Sequence, residues 1–328
     1  MNIVMQRSML LFSLYRKEIM GIATIMIIVC HSTSYVGSLP ELVQRSIGSL
    51  GYACDMFLFL SGIGMWNSMK RVRSKQQSVL IWLRNRYIRI IVPFVVIVLP
   101  VCLYNGNGVF ETIIRLTGFD YLFFQLGLWF VSCILLLYIL TPVLDIAVRS
   151  NMKWFYVSLF ICVFLIIGCV DWGQGQQMKN LQFVCNRFPC YVLGYTIATD
   201  VMSGRKISLL WMIVVPLIIF VILYYMNHRF SFYFSLFWLQ GIPAVALIAI
   251  VLSLLKCSIL NMILSFVGSI SLESYLTNVL VVPILKRAVM NIFPCIDGWA
   301  FYTFAIVICI VLAYFVNVVS KTLINKLS

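Results

Sequence analysis

The hydrophobic and polar positions of this sequence alternate on a long scale, with apolar runs of about 17 to 26 residues separated by short polar segments. A helix needs roughly 20 mostly apolar residues to cross the hydrocarbon core of a bilayer. The runs lie near residues 18–36, 48–68, 88–104, 126–146, 154–170, 187–203, 207–226, 231–254, 259–284 and 299–320. The pattern predicts an all-α membrane protein, a polytopic bundle of about ten transmembrane helices that forms a single domain over residues 1–328.

The composition of the chain agrees with a lipid environment. Hydrophobic residues make up 62% of the chain, charged residues only 10%, and the mean hydropathy is +1.03, whereas a soluble globular domain has about 25% charged residues. The 11 cysteines fall mostly inside apolar runs and form no C-x-x-C pair. We interpret them as packing residues and expect neither a disulfide framework nor a metal site.

The formal net charge of +14 has a topological explanation. If the N-terminus is cytoplasmic, 17 of the 24 Lys and Arg residues lie on the cytoplasmic side of the predicted spans, as the positive-inside rule requires. An even number of spans returns the C-terminus to that side, so both termini are predicted to be cytoplasmic and no nucleic-acid partner is expected. The largest predicted inner loop, about residues 69–87, is either an anion-binding surface or an anchor for the phosphates of the lipid bilayer.

A histidine at membrane depth is the first candidate for chemistry. His31 lies about thirteen residues into the first predicted span, roughly 20 Å from its inner end at 1.5 Å per residue. Ionisable groups at such depth are costly and often functional, and histidine is the usual general base at neutral pH. The alternative is a packing histidine that is hydrogen-bonded to a neighbouring helix. The other histidine, His228, is predicted to lie in a short outer loop.

A carboxylate opens the second predicted span. Asp55 precedes the run M-F-L-F-L-S-G, where an unpaired charge would be expensive. His31 or an arginine could be its partner, and a solvated, structural position at the outer interface is the alternative.

Three arginines precede and enter the third predicted span: Arg84, Arg86 and Arg89. Arg86 and Arg89 are three residues apart and therefore share one helical face. Two guanidinium groups placed in this way can bind a phosphate group. The alternative is an ordinary positive-inside role.

Several of these segments together resemble the integral-membrane acyltransferase 3 family, over most of the chain. The stretch from Glu18 to His31 is similar to the opening helix of the family, which ends on its essential histidine. The other matching segments are Asp55 to Gly62, similar to D-L-F-F-x-L-S-G; Arg86 and Arg89 with Pro93, similar to R-x-x-R; Leu128, Trp129 and Phe130 with Tyr138 and Pro142; Arg187 with Leu193, Gly194 and Tyr195; and Gly268 and Ser271 with Tyr275 and Leu276.

Two positions depart from the pattern of the family. The family usually has a basic residue that ten others separate from its histidine, and here that position is Met20. Arg16 lies one helical turn earlier, on the same face, and could reach the same anion. In the late helix the family often has a histidine where this chain has Asn278.

The resemblance implies a multi-pass enzyme of the inner (cytoplasmic) membrane. It implies transfer of an acyl group, usually acetyl, from cytoplasmic acyl-CoA to a hydroxyl of a cell-envelope carbohydrate or lipid-linked glycan. His31 would be the general base with Asp55 as a second catalytic residue, while Arg86, Arg89 and Arg16 would bind the donor. The alternatives are a transporter or flippase of lipid-linked sugars and a non-catalytic membrane subunit in surface-polysaccharide assembly.

Overall fold

The computed structural model describes residues 9–36, 39–124, 128–169, 175–204, 209–230, 237–293 and 297–327. These residues form α-helices joined by short connections, and no β-strand occurs among them. The helices are α1 (Leu11–Leu14), α2 (Arg16–Ser32), α3 (Glu41–Ser49), α4 (Ala53–Ser74), α5 (Val79–Tyr104), α6 (Val109–Leu116), α7 (Asp120–Phe124), α8 (Trp129–Arg149), α9 (Lys153–Cys169), α10 (Gln176–Cys185), α11 (Phe188–Met202), α12 (Leu209–Phe230), α13 (Phe237–Leu255), α14 (Ser258–Ser269), α15 (Ser271–Ile292) and α16 (Gly298–Leu327).

Five helical stretches in the described part of the chain are long and apolar enough to cross a membrane. They are Glu41–Ser74, which joins α3 and α4 through a 3₁₀ turn, and the helices α5, α8, α15 and α16. Four shorter apolar helices accompany them, at Lys153–Gly168, Ile213–Ile222, Leu239–Leu255 and Ser258–Ser269. The chain is therefore an all-α, multi-pass membrane protein, while the number of ten spans and the cytoplasmic location of both termini stay predictions.

Most predicted spans correspond mainly to one helix, but the late span is divided between two. Residues 259–284 were expected to form one helix, but α14 ends at Ser269 and α15 begins at Ser271. Ile270 between them has φ −115° and ψ 21°, which is outside the helical region. No proline or glycine stands at the break, so composition alone does not mark it.

The charge-dense segment at residues 69–87 is also different from the expected loop. Helix α4 continues to Ser74 and α5 begins at Val79, so the connection between them is only four residues long. Ser78 caps α5 by accepting a hydrogen bond from the backbone N–H of Leu80 at 3.3 Å. The arginines of this segment are therefore held on two rigid helices.

Helix α4 is at the centre of the bundle. Fifteen of its 22 residues are buried, and it packs against α2, α8, α11 and α13. Helix α5 packs against α8, α15 and α16, and the last turn of α16 meets the first turns of α5 where Arg84 donates a hydrogen bond to the carbonyl oxygen of Leu327 at 2.8 Å. The start of α5 and the C-terminal end of α16 therefore lie on the same side of the bundle.

Glycines allow two helix pairs to approach at backbone distance. A Cβ atom built on Gly194 of α11 would lie 2.9 Å from the carbonyl carbon of Phe59 in α4, and one built on Gly62 of α4 would lie 2.7 Å from the backbone nitrogen of Tyr195. Small residues have this function in membrane helix pairs, because packing replaces the hydrophobic effect inside lipid. Gly21 of α2 and Gly268 of α14 make a second close contact of this kind.

We expect Gly194→Ala to destabilise the protein by about 1 to 3 kcal/mol, because its new methyl group meets backbone atoms that cannot rotate away. Gly48→Ala is the matched control, since a Cβ built on Gly48 meets no atom within 4 Å. Thermal unfolding of the two purified variants in the same detergent measures the difference. Equal melting temperatures would contradict the assigned packing of α4 against α11.

Candidate active site

A cavity of about 170 Å³ lies between α2, α4, α5, α8 and α15. Helix α2 lines it from Arg16 through Met20 to Ile27, and the Cα atoms of Arg16 and Ile27 are about 16 Å apart along the helix at 1.5 Å per residue. Most of the remaining wall is apolar or aromatic and comes from the other four helices: Phe57, Ser61, Ile90, Phe130, Ile134, Tyr138, Ser271, Leu272 and Tyr275. The cavity therefore follows α2 through the bundle and has a mainly apolar wall.

Positive charge is concentrated at the Arg16 end of the cavity. The hydroxyl of Tyr138 interacts electrostatically with the guanidinium groups of Arg16, Arg86 and Arg89, and we call these four residues the cationic cluster. Within the described residues, none of the three arginines forms an ion pair with a carboxylate, and the buried Nε of Arg16 has no hydrogen-bond partner. Positive charge without a carboxylate partner at a partly buried site indicates a place for an anion.

Local contacts hold two of these arginines in place. Arg86 donates a hydrogen bond to Ser68 Oγ, which also accepts one from Trp82 Nε1 at 2.8 Å, and its guanidinium lies 6.0 Å from the centre of the Trp82 ring. The guanidinium of Arg16 occupies the space beside Gly64, where a Cβ atom would come within 2.6 Å of Nη2. Arg89 is exposed, so the cluster reaches the surface of the helix bundle.

Arg84 does not belong to the cationic cluster. Its side chain contacts the carbonyl oxygen of Leu327 in α16. Of the three arginines that the sequence groups together, the structure therefore brings two to Tyr138 and sends the third to the end of the last helix.

The imidazole of His31 lies one turn beyond the far end of the cavity, since Ile27 is four residues before it in α2. Its Nδ1 forms a hydrogen bond of 2.8 Å with Oδ1 of Asn278 in α15. Asn278 Nδ2 donates in turn to the hydroxyl of Tyr302 in α16 at 3.2 Å, and this hydroxyl donates to the carbonyl oxygen of Ile28. His31 is half-buried, so its ring remains accessible while one nitrogen is held.

Asp55 contacts an arginine and not His31. Its carboxylate forms an ion pair with Arg187, which stands directly before α11, and both residues are buried, at 0% and 4% exposure. The guanidinium of Arg187 also lies 5.4 Å from the Trp129 ring and 5.2 Å from the Phe183 ring, a cation–π arrangement. The predicted need for a partner is thus met by an arginine, in a dry site rather than at a wet interface. The catalytic role of Asp55 stays a prediction.

Three residues of this region were not recognised from the sequence as functional candidates: Tyr138, Asn278 as a partner of His31, and Tyr302. Tyr138 carries no charge, and only its place nine residues after Trp129 marks it. Arg187 had a usable signal, because an arginine followed by Pro189 at the start of an apolar run predicts a buried cation that needs an anion. Proline is tolerated there because it lies in the first turn of α11.

Comparison with protein families gives one match. A family model described as an acyltransferase domain, that of the acyltransferase 3 family, matches residues 20–318 of the chain. The curated proteins and the solved structures give no match. The matched region contains His31, Asp55, Arg86 and Arg89, and covers all but the first 19 and the last ten residues. The chain therefore belongs to the acyltransferase 3 family of membrane acyltransferases.

Proposed function

We propose that this protein is a membrane O-acyltransferase that moves an acyl group from cytoplasmic acyl-CoA to a hydroxyl of a cell-envelope carbohydrate or lipid-linked glycan. Acetyl is the acyl group that we expect. One observation carries the proposal. A cavity that follows α2 from Arg16 to Ile27 connects a cluster of cations, which have no carboxylate partner among the described residues, to the helical turn directly before His31. Phosphate recognition and proton transfer are therefore separated along one path.

The charge and the apolar lining of this path favour one orientation of the donor. Phosphate groups of CoA would bind Arg16, Arg86 and Arg89, because guanidinium groups form strong charge-assisted hydrogen bonds with phosphate oxygens. The thioester arm would then extend between apolar side chains such as Ile27, Phe57 and Ile134. Cationic groups at one end and an apolar wall beyond them match the two chemically different parts of an acyl-CoA.

His31 would act as the general base at the other end. Its Nε2 takes the proton of the acceptor hydroxyl while the hydroxyl oxygen forms a bond with the thioester carbonyl carbon. The carbon–sulfur bond then breaks, the acyl group remains on the oxygen as an ester, and the departing thiolate takes the proton from the imidazolium. General base catalysis of this kind typically contributes about 10² to 10⁴ in rate.

A transporter or flippase of lipid-linked sugars remains the second candidate, for which the break at Ile270 between α14 and α15 is the favouring observation. Transporters often bind substrates at broken helices. A non-catalytic membrane subunit is the third candidate.

The three candidates differ in chemistry, since only the enzyme consumes acyl-CoA. Deleting the protein should remove ester-linked acyl groups from the surface glycans of the host, and the wild-type chain should restore them. Unchanged glycan masses after deletion would overturn the proposal.

We expect Arg86→Ala and Arg89→Ala each to raise the KM for acyl-CoA by about 10- to 150-fold, which corresponds to about 1.5 to 3 kcal/mol for a charged hydrogen bond. Arg84→Ala is the matched control, since it removes a guanidinium from the same helix whose contact is with Leu327. Steady-state kinetics of the three variants over a range of acyl-CoA concentrations measures the effect. If all three arginine variants gave wild-type KM values, the pair would serve topology alone.

A further inference from the structure

The hydrogen bonds around His31 form a closed chain between three helices. His31 of α2 pairs with Asn278 of α15 at 2.8 Å, Asn278 with Tyr302 of α16 at 3.2 Å, and Tyr302 with the carbonyl oxygen of Ile28, which is again in α2. Asn278 and Tyr302 are each only 2% exposed. Water therefore cannot easily replace any member of the chain.

The direction of every hydrogen bond follows from the chemistry at one end. A carbonyl oxygen only accepts, so Tyr302 donates its single hydroxyl proton to Ile28. The oxygen of Tyr302 can then only accept, which turns the NH₂ group of Asn278 toward it and the amide oxygen Oδ1 toward His31. Because Oδ1 also only accepts, the proton on the neutral imidazole must be on Nδ1. The nitrogen Nε2 is left with its lone pair.

We propose that Asn278 and Tyr302 are positioning residues that hold His31 in the Nδ1–H tautomer and so keep Nε2 available as the catalytic base. This inference rests on the proposed function. Neither residue lines the cavity, so they act through the imidazole and not on the donor. Imidazole in water prefers the other tautomer, in which Nε2 carries the proton and cannot accept one from a hydroxyl. The fixed hydrogen bond reverses that preference, as an oriented acceptor does for catalytic and metal-binding histidines in general.

The stacking of Tyr302 limits how far this chain can rearrange. Its ring is stacked on Tyr35 with centroids 5.4 Å apart and planes 17° apart, and the Nζ of Lys286 lies 5.2 Å from the Tyr35 ring centre. The hydroxyl of Tyr302 is thus held at the Ile28 carbonyl by packing as well as by the hydrogen bond. Rigid support of this kind is what keeps a reactive group in its productive geometry.

Nitrogen NMR of the imidazole tests the tautomer without any assay of activity. The chain has two histidines, so a His228→Asn background leaves His31 as the only signal after labelling with ¹⁵N-histidine. Protonated and unprotonated ring nitrogens of neutral imidazole resonate in separate regions. We expect a protonated Nδ1 and a bare Nε2 in this background, and a shift of the population to Nε2–H in Asn278→Leu. A protonated Nε2 in the parent, or an unchanged spectrum in Asn278→Leu, would overturn the proposal.

Kinetics then shows whether the tautomer matters for the reaction. Asn278→Leu should lower kcat by roughly 10- to 100-fold, the usual cost of losing a residue that orients an active-site histidine, with an unchanged KM for acyl-CoA. Asn278→Asp keeps an acceptor toward His31, while the hydroxyl proton of Tyr302 turns from Ile28 to the second carboxylate oxygen, and this variant should recover both the tautomer and most of kcat. Tyr302→Phe retains the stacked ring and should lower kcat less than Asn278→Leu does, because the amide of Asn278 loses only its hydrogen bond to Tyr302.

These results separate the inference from the proposed function. An Nδ1–H tautomer that Asn278→Leu abolishes, in a protein without any acyl transfer, would refute the enzyme and leave the hydrogen-bond chain intact. Acyl transfer that continues at the wild-type kcat in Asn278→Leu would refute the positioning role and leave the enzyme.

Discussion

His31→Asn is expected to insert and fold normally and to lose at least about 10²-fold in the rate of acyl transfer. The amide of asparagine occupies the place of the Nδ1 side of the imidazole, so it can still donate a hydrogen bond to Asn278. What disappears is Nε2, the nitrogen that would take the proton from the acceptor hydroxyl. A packing role is therefore preserved in the variant and a proton-transfer role is removed. Rate measurements on the purified variant, at saturating acyl-CoA, give the size of the loss.

The control for this prediction is the stability of the same variant. If His31 only packs against α15, the variant keeps the hydrogen bond to Asn278 and should retain both its melting temperature and the rate of the folded protein. If it is the base, the rate falls and the melting temperature does not. A variant with unaltered stability and a near wild-type rate would contradict the mechanism.

Removal of either partner of the Asp55–Arg187 ion pair should destabilise the protein by about 3 to 5 kcal/mol, because the remaining charge loses the opposite charge with which it is buried. Asp55 is fully buried in α4, and Arg187 enters α11 between two aromatic rings. The variants Asp55→Asn and Arg187→Met remove one charge each and keep the approximate shape. Thermal or denaturant unfolding of both, in matched detergent, should show losses of similar size.

The double variant Asp55→Asn with Arg187→Met should be more stable than the sum of the two losses predicts, since the two groups are in contact and their effects are coupled. It also separates a structural from a catalytic Asp55. We expect activity to return together with the folded fraction, because Asp55 contacts Arg187 and not His31. Recovery of stability without activity would instead assign Asp55 a direct part in the reaction.

Helix positions could be read from the sequence because lipid imposes long apolar runs. The fourth predicted span, 126–146, and the last one, 299–320, correspond to α8 and α16 within a few residues at most ends. The break between α14 and α15 could not be found in this way, because the residue at the break, Ile270, is an ordinary apolar residue that continues the hydrophobic run. The helical continuation from Met69 to Ser74 was missed for the opposite reason, since charged residues there resemble a loop although they simply extend α4 out of the bundle.

The sequence allowed candidate residues to be predicted within single helices, but not their contacts with other helices. His31, Arg86 and Arg89 stand out because charge and titratable groups are rare in so apolar a chain. Their surroundings depend on residues far away along the chain: Asn278 is 247 positions from His31, and Arg187 is 132 positions from Asp55. No local pattern encodes such pairs. Arg16 is the intermediate case. It lines the same cavity as Met20 and Tyr138, while its substitution for the missing basic residue at Met20 stays a prediction.

Release of CoA thiol coupled to ester formation is the most direct measurement of the central claim. Purified protein in lipid nanodiscs is incubated with acetyl-CoA that carries a labelled acetyl group and with a lipid-linked glycan fraction from the host. The wild-type chain should release one thiol for each labelled acetyl group that appears in a hydroxylamine-sensitive ester on the glycan, and His31→Asn should release neither above background. Equal thiol release by the two proteins, or label that never reaches the glycan in the wild type, would contradict acyl transfer at this site.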